Sequence, residues 1–354
     1  MEAAAAPARA VRVRGVTPRW ALAAVAFLLL ALLIGIVAGP VHIGVGDALR
    51  SVFAKLGVPG VDSPLSPTQE SILWDLRVPR VLLAALVGGM LAIAGATYQG
   101  VFHNPLADPY LLGVAAGAGL GATLAIAYLP DALSGGHQLL PVAAFLGGAA
   151  AVVIAYGIGR AAGRERDSAT LVLAGVTVAS FFTALQTFVQ QRNTDTLQEV
   201  TAWILGSLPN TGWTDVRTLA PYVLVATAVI VALRRVVDVL SLGDLEAESL
   251  GVHVRRVRLA LVVAATVGTA AAVAISGLIA FVGIIVPHAV RLVVGTSYRG
   301  LLPLSFVVGA GFLVLCDVIA RTALSPAEVP IGVVTALFGA PAFALVLRTR
   351  GARA

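Results

Sequence analysis

The sequence predicts an all-α, polytopic membrane protein with about ten transmembrane helices and both termini cytoplasmic. Three observations carry that expectation. The 354 residues are 58% hydrophobic and only 12% charged, with a mean hydropathy of +0.94, whereas soluble domains hold roughly 25% charged residues. The apolar residues gather into ten runs of near bilayer-spanning length, about 20 residues each. The arginines concentrate on alternate separators, as they do where basic loops stay in the cytoplasm.

The first run, Trp20 to Gly39, follows Arg9, Arg12, Arg14 and Arg19. It is longer than the core of a secretory signal, about 7–15 residues, and no A-x-A cleavage site is evident, so it reads as a retained helix behind a cytoplasmic tail at 1–19. Further runs cover 81–101, 110–129, 139–160, 169–190, 217–236, 258–276, 279–295, 302–321 and 330–347. Residues 20–347 thus form one membrane domain, and 348–354 a cytoplasmic tail. Breaker residues separate the runs at Asn104-Pro105, Pro130-Asp131, Gly135-Gly136, Pro209-Asn210 and Pro326.

Two separators are longer than a turn. Residues 40–78 hold a weakly amphipathic stretch around Val45 to Leu56, then a Pro/Ser-rich passage; residues 191–216 hold the apolar piece Ala202 to Leu208, read as interfacial or re-entrant. With the amino terminus inside, only Arg50, Lys55, Arg77, Arg80, Arg192, Arg217 and Arg321 fall on the outer side; the other basic residues lie inside.

Several function classes are disfavoured by the same residues. The net charge of +6 is scattered between apolar runs without a continuous basic stripe, so no nucleic-acid partner is expected. The single cysteine, Cys316, excludes an intrachain disulfide and reads as packing. A phosphate-binding loop needs a lysine, and the only one, Lys55 in Phe53-Ala54-Lys55-Leu56, fits no such loop, so the chain is neither a P-loop ATPase nor an enzyme. His42, His103, His137, His253 and His288 never stand at i, i+4, so neither a metal nor a cofactor is expected. Asp317 is the one acid well inside a run, near its outer end. Carriers coupled to ions work through deep ionisable groups, which leaves an ion-coupled secondary transporter as the alternative reading.

Other features have local explanations. Gly113, Gly117 and Gly121 repeat every four residues and suit close helix packing. Gln99, Gln186, Gln190 and Gln191 line a pathway or solvate helix ends. Two prolines stiffen Phe102-His103-Asn104-Pro105-Leu106-Ala107-Asp108-Pro109 into a defined bend. Within 241–252, Leu242, Leu245 and Leu250 with Ala247 make a small apolar face beside acids, ending at Gly251 as a helix stop. Such a helix either docks a partner or is a solvated connector.

Taken in order, Arg77-Val78-Pro79-Arg80-Val81-Leu82, Gly95-Ala96-Thr97-Tyr98-Gln99-Gly100, Asn104-Pro105-Leu106-Ala107-Asp108-Pro109 and Leu112-Gly113-Val114 resemble the FecCD-type permeases of iron-siderophore, haem and cobalamin ABC importers. So do Leu173-Ala174-Gly175-Val176, Trp203-Ile204-Leu205-Gly206-Ser207, Ala247-Glu248-Ser249-Leu250-Gly251, Gly277-Leu278-Ile279-Ala280-Phe281-Val282-Gly283 with Pro287-His288, and Pro330-Ile331-Gly332-Val333-Val334-Thr335-Ala336. The resemblance spans about residues 70–345.

It implies a multi-pass permease of the bacterial inner membrane, working by alternating access. Its implied partners are two copies of a cytoplasmic P-loop ATPase, an extracytoplasmic substrate-binding protein, a second permease copy (a homodimer before a heterodimer), membrane lipid and a metal-chelate substrate. By the same resemblance Arg77, Arg80 and Arg321 are sockets for acids of the binding protein. Leu242, Asp244, Leu245, Glu246, Ala247, Glu248, Leu250 and Gly251 form the ATPase-coupling helix. Asn104, Leu106, Ser168 and Ala169 fall at the cytoplasmic gate, where Ala169 departs from the small hydroxyl residue common in the family. The second, fifth, eighth and tenth spans are the implied pathway wall.

Overall fold

The structure is a computed structural model and describes residues 17–130, 139–161, 168–208 and 212–351. Ten apolar helices account for the ten runs: α1 (Pro18–Val37), α3 (Pro67–Val101), α4 (Val114–Tyr128), α5 (Leu139–Ala161), α6 (Ser168–Arg192), α8 (Trp213–Ala232), α11 (Val254–Ser276), α12 (Val282–Val294), α13 (Tyr298–Thr322) and α14 (Ile331–Gly351). Short helices lie between them: α2 (Val45–Lys55), α7 (Leu197–Ile204), α9 (Arg234–Leu240) and α10 (Asp244–Ser249). Seven of the ten are long and apolar enough to cross a membrane; α4, α12 and the stretch Ile331–Ala344 of α14 are shorter. The final helix continues past 347 to Gly351. Residues 1–16, the Gly135-Gly136 and Pro209-Asn210 turns, and Arg164 and Arg166 lie outside the described residues.

Over its most apolar stretch α3 is 83% buried, α11 72% and α13 56%, against 17% for α1 and 28% for α5 and α8. Thus α3, α11 and α13 are the core among the long helices, and α1, α5, α6 and α8 present broad apolar faces outward, as lipid requires. The helix α3 starts on a capping box: Ser66 Oγ accepts from Gln69 N at 3.3 Å, and Ser66 N donates to Gln69 Oε1 at 3.1 Å, with Pro67 in the first turn. A π turn at Ile72–Arg77 interrupts its α geometry before the helix runs on to Val101. Such turns carry one extra residue and frequently sit at functional sites.

Close backbone approach explains the glycine repeat. A Cβ on Gly117 would stand 2.2 Å from the Gly147 carbonyl oxygen, and one on Gly121 2.2 Å from that of Ala143, so α4 and α5 touch along their backbones. Cys316 is free and buried, in line with packing.

The helix α12 begins only after irregular backbone. The 13 residues of α12 span about 20 Å at 1.5 Å per residue, short of a roughly 30 Å hydrocarbon core. The preceding segment runs from Gly277 (φ +67°), packed on Trp203, to Phe281 (φ +70°), and Gly283 just beyond it meets Gly95 of α3. Non-helical backbone away from water is tolerated only where protein satisfies it. Tyr110, just before α4, does so: its hydroxyl donates to the Ile279 carbonyl at 2.9 Å and accepts from Ile279 N at 3.1 Å. The piece Ala202–Leu208, read as interfacial or re-entrant, is the end of α7 and a link seated on its neighbours. Ser207 N donates to Ser276 O at 3.0 Å, Ile331 N to Gly206 O at 3.0 Å, and Leu208 is buried.

Candidate functional site

An arginine cluster joins the ends of α1, α3 and α13. A helix leaves its last carbonyls without partners, and α1 ends with those of Gly35, Ile36 and Val37 free of its own ladder. Arg77 donates to Ile36 O at 3.1 Å and Val37 O at 2.8 Å, and also to Val41 O. Arg321 donates to Gly35 O at 2.5 Å. Cations at a helix C-terminus also meet the negative end of its dipole. Arg77 and Arg321 are therefore buried, 5% and 6% exposed, and their guanidinium groups are turned inward as caps of α1.

Arg80 differs. Its Nε donates to Asp317 Oδ1 at 2.9 Å and its Nη2 lies 2.8 Å from the same oxygen, while Nη1 and Nη2 each reach Glu328 at 2.8 Å. Asp317 also pairs with Arg321 at 3.4 Å, one helical turn on. Its side chain is 1% exposed and that of Glu328 is 37% exposed. One partner of Arg80 is thus fixed and the other faces outward. The hydrogen bonds from Arg80 hold the Glu328 carboxyl below the usual range, against the opposing push of partial burial.

At the opposite ends of the helices, α9 and α10 form the loop between α8 and α11. Asp244 pairs with Arg258 at 2.6 Å and Ala247 is buried. Gly251 N donates to Glu248 O at 2.9 Å and Val252 N to Ala247 O at 3.0 Å, with Gly251 at φ +81°. This is the Schellman stop that a glycine there permits. Leu242, Leu245 and Leu250 are 65%, 75% and 64% exposed. Together they form an apolar patch held out of the folded surface. Glu246 and Glu248 lie on the same short helix, Glu248 also lining a shallow cleft with His253 and Arg255.

The other sequence-predicted residues are placed less tightly. Asn104 Oδ1 accepts from Leu106 N at 2.9 Å, so these two form one turn. Leu106 lines a cavity of about 200 Å³ with Ile284, His288 and Ala342 of α12 and α14. Ser168 and Ala169 open α6, with Ala169 exposed. Nearby, burial pushes the Asp108 carboxyl up to about 6, opposed by the Tyr110 N–H it accepts at 2.8 Å. Gln99 ties α3 to α12, donating to Gly283 O at 3.2 Å and accepting from Arg291 at 2.8 Å. Gln186 is buried beside Gly119. No cluster of potential metal ligands occurs among the described residues.

Sequence reasoning missed the hydroxyl face of α6. Thr177, Ser180, Thr183 and Thr187 share one side and are exposed. Thr177, Ser180 and Thr187 donate to the carbonyls four residues back at 2.8–2.9 Å. That leaves their oxygens as acceptors with no donor proton unsatisfied. The spacing 177, 180, 187 is the sign that was available.

A bundle of apolar helices with its charges confined to the ends, and one outward face lined by hydroxyls, defines a multi-pass transport permease. The chain belongs to the FecCD transport family, whose model matches residues 27–349. It is 41% identical over 334 residues to the uncharacterized ABC transporter permease protein YvrB of Bacillus subtilis, covering 92% of this chain and 93% of that one. It is 43% identical over 287 residues to the cobalamin import system permease protein BtuC of Halobacterium salinarum, covering 81% and 76%. The hemin transport system permease protein HmuU of Yersinia pestis is 38% identical over 287 residues, covering 79% and 85%. A solved chain described as an inward-facing conformation of a metal-chelate type ABC transporter superposes with a TM-score of 0.81 at 29% identity, covering 94% of this chain and all of that one.

Proposed function

We propose that this chain is the permease subunit of a binding-protein-dependent ABC importer that carries an iron-siderophore, haem or cobalamin-type chelate into the cytoplasm. The observation that carries the reading is the exposed leucine patch around α10. It gives an ATPase without covalent attachment a surface to grip, and the chain has no phosphate-binding loop of its own. The α10 face is cytoplasmic, in keeping with the basic residues of its loops, and the arginine cluster is outside. A second permease copy, the same chain before a related one, covers the exposed sides of α6 and α14, whose hydroxyls and apolar residues together wall the pathway. The central α3, by contrast, is packed as core along most of its length.

Docking of the binding protein falls chiefly on Arg80. An incoming carboxylate replaces Glu328 on the outer edge of the guanidinium while Asp317 keeps the inner edge. Arg77 and Arg321 contribute charge from beneath. Asn104, Leu106, Ser168 and Ala169 stand at the inner mouth, where α3 gives way to α4 and α6 begins.

The test is vanadate-sensitive ATP hydrolysis by the complex purified on this chain, compared with Leu245→Glu. Loss of at least tenfold in hydrolysis with the permease still monodisperse is the expected result. Substrate uptake driven by an ion gradient, with no ATPase in the complex, would reject the importer in favour of a secondary transporter.

A further inference from the structure

The helix α2 carries an apolar stripe that none of the described residues covers. Val45, Leu49, Phe53 and Leu56 follow one another at i, i+4, i+8 and i+11, which is a single helical face. They are 49%, 40%, 48% and 73% exposed. The side packed on the protein is different: Ala48 and Ser51 are buried, and Ser51 Oγ accepts from Trp74 Nε1 at 3.0 Å. The orientation of α2 is thus fixed by its own packing, and the stripe is held outward.

Two observations name the occupant. The first is continuity. Leu22, Val25, Leu29, Leu30 and Ile34 of α1 are exposed on a helix that is long and apolar enough to cross the bilayer, and Val41, in the link to α2, is exposed as well. The second is charge. Arg50 is exposed beside the stripe, and Lys55, exposed at the last turn, reaches from the packed side over the Trp74 ring at 5.6 Å. An amphipathic helix with bulky apolar residues on one face and basic residues beside them is built for the plane where acyl chains meet phosphates. Long basic side chains there bury their stems and lift their charges to the headgroups.

We propose that α2 lies in the outer membrane–water interface, with Val45, Leu49, Phe53 and Leu56 among acyl chains and Arg50 and Lys55 on lipid phosphates. The occupant is the lipid surface, not a protein. The helix then fixes the depth of the outer end of α1, whose last carbonyls Arg77 and Arg321 hold.

Collision accessibility of a nitroxide tests this in the full chain, in nanodiscs of zwitterionic lipid with one quarter anionic phosphatidylglycerol. The label is placed singly at Leu49→Cys, Phe53→Cys, Asp47→Cys on the opposite, polar side and, as a lipid-facing reference, Leu29→Cys, all in a Cys316→Ala background. Leu49 and Phe53 should match Leu29, with oxygen collisions at least threefold above those at Asp47 and a water-soluble nickel chelate excluded. The Arg50→Gln, Lys55→Gln pair should raise nickel access at Phe53 at least twofold. Nickel access at Leu49 and Phe53 equal to that at Asp47, while Leu29 stays protected, would overturn the assignment. So would protection that appears only in dimers or only on adding a soluble partner, because a protein would then be the occupant.

Discussion

Removing Asp317 should destabilise the chain through Arg321 rather than through Arg80. The carboxylate is 1% exposed and serves two arginines, with ion-pair distances of 2.8 Å to Arg80 and 3.4 Å to Arg321. Two unit charges about 4 Å apart attract by roughly 4 kcal/mol at an effective dielectric near 20. Deleting one member of a buried pair costs about 3–5 kcal/mol because a charge is left without compensation. Arg80 would keep Glu328 at 2.8 Å, whereas the other hydrogen bond described for Arg321 is to the neutral carbonyl of Gly35. Asp317→Ala should therefore lower the unfolding free energy by about 3–5 kcal/mol, and adding Arg321→Met should recover more than half of the loss. The assay is SDS-titrated unfolding in mixed micelles, followed by tryptophan fluorescence, with the coupling taken from the four-member cycle. A single mutant within about 1 kcal/mol of the parent, or a double mutant no more stable than the single, would refute the reasoning, since either means that the cluster is solvated or that Arg321 repacks freely.

Two further outcomes follow from distances and burial. Gly95→Ala places a Cβ 2.0 Å from the backbone oxygen of Gly283, so α12 must shift, and stability should fall by about 1–3 kcal/mol or more; Gly46→Ala, with open space around it, should be neutral or slightly stabilising in the same melts. Asp108, its carboxyl pushed up to about 6 from a usual 3.8, should add a contribution to stability that is fully present below about pH 4 and is lost as the pH rises through 6. Asp108→Asn keeps the acceptor for Tyr110 N and should remove that fall, so that the melting temperature of the variant relative to the parent rises between pH 4 and 6. An unchanged slope would mean that another group titrates there.

The ten helices were legible because each must supply its own run of apolar residues to meet lipid, whatever its neighbours do. The stop at Gly251 was legible for a similar reason, since it depends on one residue's freedom at positive φ. Partnerships across the chain were not. Arg77 and Arg321 cap backbone carbonyls of α1, and a carbonyl has no signature in sequence. Glu328 meets Arg80 across 248 positions, and a lone acid in a Pro-containing loop gives no hint of it. Asp317 and Arg321 could have been paired from their spacing of four. The segment before α12 read as part of a span because it is apolar, although Gly277 and Phe281 turn it out of helix. The expected wall helix at the second span is core for the same reason: hydrophobicity does not distinguish lipid from protein as the neighbour.

The hydroxyl of Tyr110 bears on how the molecule moves. One oxygen closes both the N–H and the carbonyl of Ile279, a residue 1% exposed, so drawing the starts of α4 and α12 apart would strand two buried backbone groups at once. Each unmade bond of that kind costs about 1–3 kcal/mol, and that cost ties the two helix starts together. The opposite end of α3 is built otherwise, with the π turn at Ile72–Arg77 leaving a spare residue beside the arginine cluster.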